Sequence, residues 1–290
     1  MISIGQNIIK KSHFPDGTQM LLNIPIIHEH KHLEIYWRYE SDEELVTLLF
    51  LKHHIDEHYN IETVDLIMPY LPNARMDRVK SVCEVFTLKY FCQEINNLKF
   101  SNVYVADPHS EVSLALLDRV KVYDYNTIIS FLIGSVYLHD DDLYLFFPDN
   151  GALKRYSESC AAFEDTKKIY GTKKRDWNTG KILGLTIHDA DGNELQPKTL
   201  NNKSVLMIDD IISYGGTLAY SADKLKELGA DKIYAFATHV ENSFLDEEKG
   251  TLLKRCKSGV VQKIYTTDSI YSGPQVGDPF VKVVGSFFPV

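Results

Sequence analysis

The chain has 290 residues, 44% of them hydrophobic and 24% charged, and its formal net charge at pH 7 is −9. This length suffices for two domains that each bury a core. The acidic balance, without a dense Lys/Arg run, argues against a nucleic-acid partner. No apolar stretch approaches membrane-spanning length, no signal-peptide pattern opens the chain, and its 4 cysteines form no Cys-x-x-Cys pair. We therefore expect a cytoplasmic protein with reduced thiols and no membrane partner.

Short apolar runs alternate with helical patterns along the chain. We predict strands at residues 21–27, 33–37, 64–68, 103–106, 144–147, 182–187, 205–208, 233–238 and 263–266. The clearest helix covers about 81–96, with one apolar face made by Val85, Leu88, Cys92 and Ile95. This alternation predicts an α/β protein of two similar domains, 1–126 and 127–290, each a mainly parallel sheet flanked by helices.

The most informative segment is 205–217, which reads VLMIDDIISYGGT. A buried strand ends in the acid pair Asp209 and Asp210, and Gly215, Gly216 and Thr217 then lead into an amphipathic helix. Backbone N–H groups of a glycine turn and a helix N-terminus hold phosphate, while neighbouring carboxylates accept hydrogen bonds from sugar hydroxyls. The segment thus predicts a ribose-phosphate site; the competing interpretation is an ordinary strand–turn–helix corner with solvated acids.

This segment resembles the phosphoribosyl pyrophosphate binding motif that type I phosphoribosyltransferases and ribose-phosphate pyrophosphokinases share. Six further motifs occur in the order that the pyrophosphokinases use: FPDG at 14–17, PYLPNARMDRVK at 69–80, DPH at 107–109, FPDNG at 147–151, KKR at 173–175 and ATH at 237–239. The phosphoribosyltransferases lack the motifs of the first half. From about residue 12 to about residue 275, the chain is therefore similar to the ribose-phosphate pyrophosphokinase family.

The resemblance implies a Mg²⁺-dependent enzyme that transfers the β,γ-pyrophosphoryl group of ATP to the C1 hydroxyl of ribose 5-phosphate and releases AMP. The residues that it assigns to ATP are Phe14, Asp16, Arg75, Asp77 and Arg78. In the family, the residues matching Phe14 and Asp16 reach the adenine from a neighbouring subunit. The resemblance therefore also implies a homo-oligomer whose ATP sites are shared between subunits.

Charged residues are the candidates for binding the metal and for stabilising the transition state of this reaction. Asp107 and His109 follow a predicted strand and could hold Mg²⁺ directly or through water, and Asp149 matches the family's second metal-side carboxylate. Lys173 and Arg175 lie in a polar segment, 171–180, that we predict to be a flexible loop covering the transferred group. His109, Lys173 and Arg175 are the predicted catalytic set.

Four positions depart from the family pattern. Ser213 and Tyr214 replace the usual acid and threonine before the glycines, Thr18 replaces a glutamate, and Met76 replaces a glutamine. The predicted acceptor-binding set is Asp209, Asp210, Ser213, Tyr214, Gly215, Gly216 and Thr217. Because Ser213 removes negative charge and Tyr214 adds an aromatic ring, ADP-ribose, a compound of NAD metabolism, is a second possible acceptor. Two hypotheses of a different kind are a phosphoribosyltransferase and a non-catalytic regulatory subunit of a pyrophosphokinase.

Overall fold

The computed structural model describes residues 1–25, 31–124, 126, 128–129, 132, 142–156, 166–175, 182–274 and 278–289. The chain forms two compact units, one of residues 1–123 with 287–290 and one of residues 124–286. Within the described ranges, no helix is long and apolar enough to cross a membrane.

The first unit is built on a six-stranded sheet and a separate two-stranded hairpin. Its strands are β1 (Ile2–Ile4), β2 (Asn7–Ile8), β3 (Lys11–His13), β4 (Gln19–Leu21), β5 (His32–Trp37), β6 (Thr63–Ile67), β7 (Val103–Val105) and β8 (Val120–Val122). The sheet order is β2-β1-β5-β6-β7-β8, and β3 pairs with β4 in the hairpin. The strands β5 to β8 are mutually parallel, whereas β1 runs antiparallel to both neighbours.

Three helices cover this sheet: α1 (Glu43–His58), α2 (Thr87–Asn97) and α3 (Glu111–Leu116). Helix α1 buries Leu48, Leu51 and Ile55 at helical spacing, and each is at most 1% exposed. The predicted start of α2 was wrong, because the helix begins at Thr87 rather than near residue 81. The Glu84 carboxylate accepts a hydrogen bond from the Lys80 N–H at 2.7 Å, which holds this stretch in a turn.

The second unit is built on a seven-stranded sheet. Its strands are β9 (Leu143–Phe147), β10 (Lys167–Arg175), β11 (Ile182–Asp189), β12 (Ser204–Ile212), β13 (Lys232–Val240), β14 (Lys263–Thr267) and β15 (Val281–Gly285), in the order β11-β10-β9-β12-β13-β14-β15. All pairs are parallel except β10 with β11. The described helices are α4 (Asn150–Tyr156), α5 (Gly216–Glu227), a 3-10 turn (Asn242–Leu245) and α6 (Thr251–Lys257). The predicted fold class, two mainly parallel sheets flanked by helices, is confirmed.

Besides the start of α2, three predicted segments differ from the structure by more than two residues. The strand predicted at 21–27 pairs only over Gln19–Leu21, and its residues 26–27 lie outside the described part of the chain. Strand β12 continues to Ile212, since Asp209 still pairs with Ala237 of β13. The segment predicted as a loop at 171–180 was wrong for residues 171–175, whose backbone belongs to β10 and pairs with β11. Residues 176–180 lie outside the described part.

Candidate functional site

Two predicted site segments of the first unit, those that carry Arg75 and His109, follow the carboxyl ends of the neighbouring strands β6 and β7. The Ala106 N–H donates to the Pro69 carbonyl at 2.8 Å, and the Met68 N–H donates to the Tyr104 carbonyl at 2.9 Å. The segments after β6 and β7, with Arg75 on one and His109 on the other, therefore begin side by side. This edge of a parallel sheet is where ligands of α/β proteins bind.

The turn after β7 holds a carboxylate under backbone strain. Asp107 is only 5% exposed, and its φ of +36° lies outside the regions that non-glycine residues favour. Such a conformation costs on the order of 1–3 kcal/mol and persists where the surroundings impose it, commonly at functional sites. His109, two residues further on, is half-buried. This geometry supports a functional role for the pair, and the metal role assigned to it remains a prediction.

The segment carrying Arg75 is anchored by apolar residues and presents cations to solvent. Leu71 is 2% exposed and Ala74 is 7% exposed, so the backbone on the N-terminal side of Arg75 is fixed to the core. Arg75 and Arg78 are exposed. The Nε atom of Arg78 lies 3.5 Å from Oδ1 of Asp77. The arrangement gives an exposed basic segment at the sheet edge, suited to a polyphosphate.

The FPDG motif forms the tip of the β3–β4 hairpin. Phe14 is 50% exposed there. Oδ1 of Asp16 accepts hydrogen bonds from the Thr18 hydroxyl at 2.7 Å and the Thr18 N–H at 2.9 Å. These bonds, the hydroxyl first, lower the pKa of the Asp16 carboxyl below its ordinary value. Thr18, at the position where the family pattern has a glutamate, thus holds one oxygen of Asp16 in place.

This hairpin is fastened to the first turns of α1. The Glu43 carboxylate accepts from Lys11 Nζ at 2.6 Å and lies 2.5 Å from His13 Nε2. Lys11 and then His13 lower the pKa of Glu43. Gln19 donates to the Glu43 carbonyl at 2.9 Å and accepts from the Thr47 hydroxyl at 2.7 Å. The exposed ring of Phe14 is therefore held on a fixed support rather than on a loose loop.

The acid pair of the second unit lies in the carboxyl-terminal half of the buried strand β12. Asp209 accepts through Oδ1 from the Asp210 N–H at 3.0 Å, and Asp210 is only 4% exposed. Nη1 of Arg155, in α4, lies 3.6 Å from Oδ1 of Asp210. Arg155 was not among the predicted site residues; the available signal was its position about one turn after the FPDNG motif, in the helix that begins within that motif.

Asp149 caps the helix that carries Arg155. Its Oδ1 accepts from the Ala152 N–H at 2.9 Å, and its carbonyl accepts from the Leu153 N–H at 3.1 Å. A Cβ at Gly151 would lie 3.1 Å from the same Oδ1, so the glycine leaves room for the cap. One oxygen of this exposed carboxylate thus has a structural role, and its metal-side role stays a prediction.

The two glycines before α5 have different environments. Gly215 has a φ of +75°, and a Cβ there would lie 2.3 Å from Cβ of Leu252 in α6, so packing and backbone both require glycine. A Cβ at Gly216 would meet only the Thr251 hydroxyl oxygen, at an ordinary 3.8 Å. The fold does not require Gly216 to be glycine. Its bare backbone at a helix N-terminus fits close approach of an anion.

The turn itself is held by α6. The Tyr214 carbonyl accepts from the Thr251 N–H at 2.9 Å and the Thr251 hydroxyl at 2.8 Å. The Tyr214 residue is nevertheless 40% exposed. Ser213 is partly buried, and its hydroxyl lies 3.0 Å from that of Ser243. The backbone of the turn is therefore fixed while an aromatic ring stands at its rim.

The predicted catalytic cations Lys173 and Arg175 are described for their backbone alone. Lys173 pairs with Leu185 and Arg175 with Ile182, so both lie on the last residues of β10. Their side chains lie outside what the structure describes. The backbone of a strand end offers a more defined position than the flexible loop that the sequence analysis predicted.

The donors present suit a metal that a substrate helps to hold. Within the described ranges, no group of three or more His, Cys, Asp or Glu side chains could hold a metal ion. In nucleotide sites, Mg²⁺ takes one or two carboxylates and completes its shell with phosphate oxygens and water. Asp107 in the first unit and Asp149 in the second each follow the carboxyl end of a strand, and the metal role of either carboxylate stays a prediction.

A separate cavity of about 410 Å³ lies in the second unit. It is lined by the first residues of β10, by Tyr144 near the start of β9 and by the turn after β11. These are the amino ends of parallel strands, opposite the edge that carries the acid pair and the glycine turn. Because ligands of parallel sheets bind at the carboxyl edge, we place the functional site there and not in this cavity.

The chain has relatives among curated proteins and solved structures. It is 30% identical over 202 residues to the ribose-phosphate pyrophosphokinase of Thermococcus kodakarensis, covering 69% of this chain and 66% of the relative. It is 28% identical over 271 residues to that of Sulfurisphaera tokodaii, covering 92% of this chain and 87% of the relative. It superposes on phosphoribosylpyrophosphate synthetase from Mycobacterium smegmatis with a TM-score of 0.74 and 16% identity, covering 96% of this chain and 86% of that one. No protein-family model matches the chain.

Two mainly parallel sheets, with an acid pair and a glycine turn at the carboxyl edge of the second, define a phosphoribosyltransferase-type fold. Curated relatives that align over most of the chain narrow this class. The chain belongs to the ribose-phosphate pyrophosphokinase family of enzymes.

Proposed function

We propose that the protein transfers the β,γ-pyrophosphoryl group of ATP to the C1 hydroxyl of ribose 5-phosphate. The C1 oxygen forms a bond to the β-phosphorus, the bond from that phosphorus to the α,β-bridging oxygen breaks, and AMP leaves with the bridging oxygen. The hydroxyl proton passes to solvent. The observation that carries the proposal is the glycine turn after β12. Its Gly216 has room for a side chain, so packing does not explain why this residue is glycine.

The second unit supplies the acceptor side. Gly215, Gly216 and Thr217 offer a helix N-terminus to the 5′-phosphate. Asp209 and Asp210, in the carboxyl-terminal half of β12, accept hydrogen bonds from the ribose hydroxyls. The Arg155 guanidinium beside Asp210 balances the charge of a carboxylate that the protein buries.

The first unit supplies the ATP side. The exposed ring of Phe14 gives adenine an apolar face, and Asp16 accepts from its exocyclic amine. Arg75, with Asp77 and Arg78 close by, contacts the phosphates. Asp107 and His109, which follow β7, would position the triphosphate and its metal.

Positive charge over the transferred group is the remaining requirement of such a reaction. Bound Mg²⁺ would neutralise the polyphosphate. Asp107 and His109 are the residues of the first unit that would hold a metal, and Asp149 is the metal-side carboxylate of the second unit. Lys173 and Arg175 would stabilise the charge that develops on the transferred oxygens.

The test is a mass-spectrometric assay of AMP release from ATP, with and without Mg²⁺ and ribose 5-phosphate. We expect one AMP and one phosphoribosyl 1-pyrophosphate per turnover, and none when the sugar or the metal is omitted. Release of ADP instead, or AMP release that does not depend on the sugar, would contradict the proposal.

A second candidate has the same chemistry with ADP-ribose as the acceptor. The observation that favours it is the exposed ring of Tyr214, at the rim of the phosphate turn and on a fixed backbone. An aromatic residue placed there could stack on the base of an acceptor that extends beyond its 5′-phosphate. The neutral Ser213, in place of an acid, would also admit a second phosphate more readily.

Competition between the two acceptors at equal concentration tests this candidate. If ADP-ribose is the acceptor, we expect its kcat/KM to exceed that of ribose 5-phosphate and to fall in Tyr214→Thr. A preference for ribose 5-phosphate that is unchanged in Tyr214→Thr would exclude the extended acceptor.

A further inference from the structure

A chain of hydrogen bonds links the phosphate turn to a carboxylate on the next strand. The hydroxyl oxygens of Ser213 and Ser243 are 3.0 Å apart, and the Ser243 hydroxyl donates to Oε2 of Glu241 at 3.2 Å. Glu241 directly follows β13, and its N–H donates to the Ile212 carbonyl at 2.8 Å. The carboxylate thus comes from the end of the strand next to β12, although it is distant from Ser213 along the chain.

The carboxylate fixes the direction of this chain. A carboxylate only accepts, and a serine hydroxyl has one proton to donate. Because Ser243 gives its proton to Glu241, it can only accept from Ser213. The proton of Ser213 is then used inside the protein, and Ser213 has only lone pairs to offer a ligand.

We propose that Glu241 and Ser243 are positioning residues that make Ser213 a hydrogen-bond acceptor for a hydroxyl of the sugar-phosphate acceptor. An acid at this position, as in the family pattern, would likewise only accept. The serine therefore acts as a hydrogen-bond acceptor, like the acid that it replaces. The negative charge is carried instead by Glu241, which follows the neighbouring strand β13. This inference rests on the proposed function and names a determinant of its acceptor specificity.

The surroundings keep the chain of hydrogen bonds in place. Phe244, next to Ser243, is fully buried, and its N–H donates to the Glu241 carbonyl at 3.0 Å. The Ser213–Ser243 and Ser243–Glu241 hydrogen bonds are partly buried, which shields them from competing water. Without this arrangement, a serine beside a phosphate would be expected to donate to the anion.

The experiment compares ribose 5-phosphate with its 2-deoxy and 3-deoxy analogues, by calorimetric Kd and by kcat/KM with ATP and Mg²⁺. In Ser243→Ala, we expect the preference for ribose 5-phosphate over one of the analogues to fall about three- to tenfold, the range for one neutral hydrogen bond. In Ser213→Ala, the preference for ribose 5-phosphate should fall by the same factor. The Ser213→Ala/Ser243→Ala double variant should show no further fall, because the two serines act as one unit.

Two variants separate this role from a structural one. Ser213→Asp in the Ser243→Ala background should restore the preference, because an aspartate accepts without help. Ser272→Ala is the matched control: its hydroxyl donates to Asn242 Oδ1 at 2.8 Å on the exposed side of the same turn, so we expect no change.

The outcomes distinguish the two proposals. An unchanged preference in Ser243→Ala, with a wild type that binds and uses ribose 5-phosphate, overturns the role of Ser243 and Glu241 alone. A wild type that neither binds nor uses ribose 5-phosphate overturns both. Failure of Ser213→Asp to restore the preference would also reject the acceptor role, provided that circular dichroism shows an intact fold.

Discussion

The guanidinium of Arg155 lies 3.6 Å from the carboxylate of Asp210, which is only 4% exposed. The two residues belong to different elements, α4 and β12, and the strand before α4, β9, is paired with β12 in register from Leu143 with Ser204 onward. Strand pairing therefore brings a cation to one of the two acids that we assign to the sugar. A buried carboxylate without a cation close by would be costly.

Replacing Arg155 should impair use of the acceptor. In Arg155→Leu, we expect kcat/KM for ribose 5-phosphate to fall about ten- to a hundredfold, equivalent to about 1–3 kcal/mol for a buried carboxylate that loses a neighbouring cation. Arg155→Lys, which keeps a cation at this position, should retain part of the kcat/KM that Arg155→Leu loses. Arg255→Leu is the control, because Arg255 pairs with Asp223 at 2.7 Å on the surface, where ion pairs contribute little. Equal losses in Arg155→Leu and Arg255→Leu would contradict a specific role.

The two glycines of the turn should respond differently to alanine. Gly216→Ala fits the fold, so we expect an unchanged Tm and a raised KM for the sugar phosphate. Gly215→Ala forces a left-handed residue against Leu252 and should lower the free energy of unfolding by roughly 1–3 kcal/mol. Thermal melts and acceptor kinetics on both variants decide this. A normal KM for the sugar phosphate in Gly216→Ala would contradict phosphate binding at this turn, on which the proposed function depends.

The hydrogen bonds from Thr18 should lower the pKa of the Asp16 carboxyl. In Thr18→Val, the hydroxyl bond is lost and the pKa of Asp16 should rise toward its ordinary value, while Thr18→Ser should keep it lowered. The sign follows from linkage: a depressed carboxyl pKa contributes stability above the ordinary pKa, and this contribution is lost as the pH falls through the lowered one. Carbon NMR titration of the carboxyl measures the shift. An unchanged pKa in Thr18→Val would show that the backbone N–H alone accounts for it.

His109→Ala and Lys173→Ala should each lower kcat by orders of magnitude, because each removes charge stabilisation needed mainly in the transition state. We expect circular dichroism and Tm close to those of the wild type. His58→Ala is a matched control for the histidine, since His58 is exposed in the last turn of α1. Full activity in either catalytic variant would reject the role assigned to that residue.

Shared ATP sites predict complementation between inactive variants. A Phe14→Ala/Asp16→Ala protein mixed with a Lys173→Ala protein should recover part of the activity if subunits exchange. The physical basis is the half-exposed ring of Phe14, which the hairpin holds on the surface of its own unit. Native mass spectrometry, which resolves the small mass difference between the two variants, verifies the exchange. Mixed oligomers without any regained turnover would count against subunit sharing.

The sequence by itself determined the local parts of this protein. Apolar runs with period two or 3.6 fix which segments become strands and helices, and this sufficed for the α/β class and for the order strand, acid pair, glycine turn and helix. These features depend on residues within one turn or one strand of each other. The motifs that gave the family resemblance are of the same local kind.

Tertiary structure decided which distant groups meet. The ion pair of Arg155 with Asp210, and the hydroxyl chain from Ser213 to Glu241, depend on strand register, which no local pattern records. Lys173 lies in a strand rather than a loop because β11 supplies the backbone partners that its polar sequence does not reveal. The different environments of Gly215 and Gly216 likewise became visible only when α6 packed against one of them.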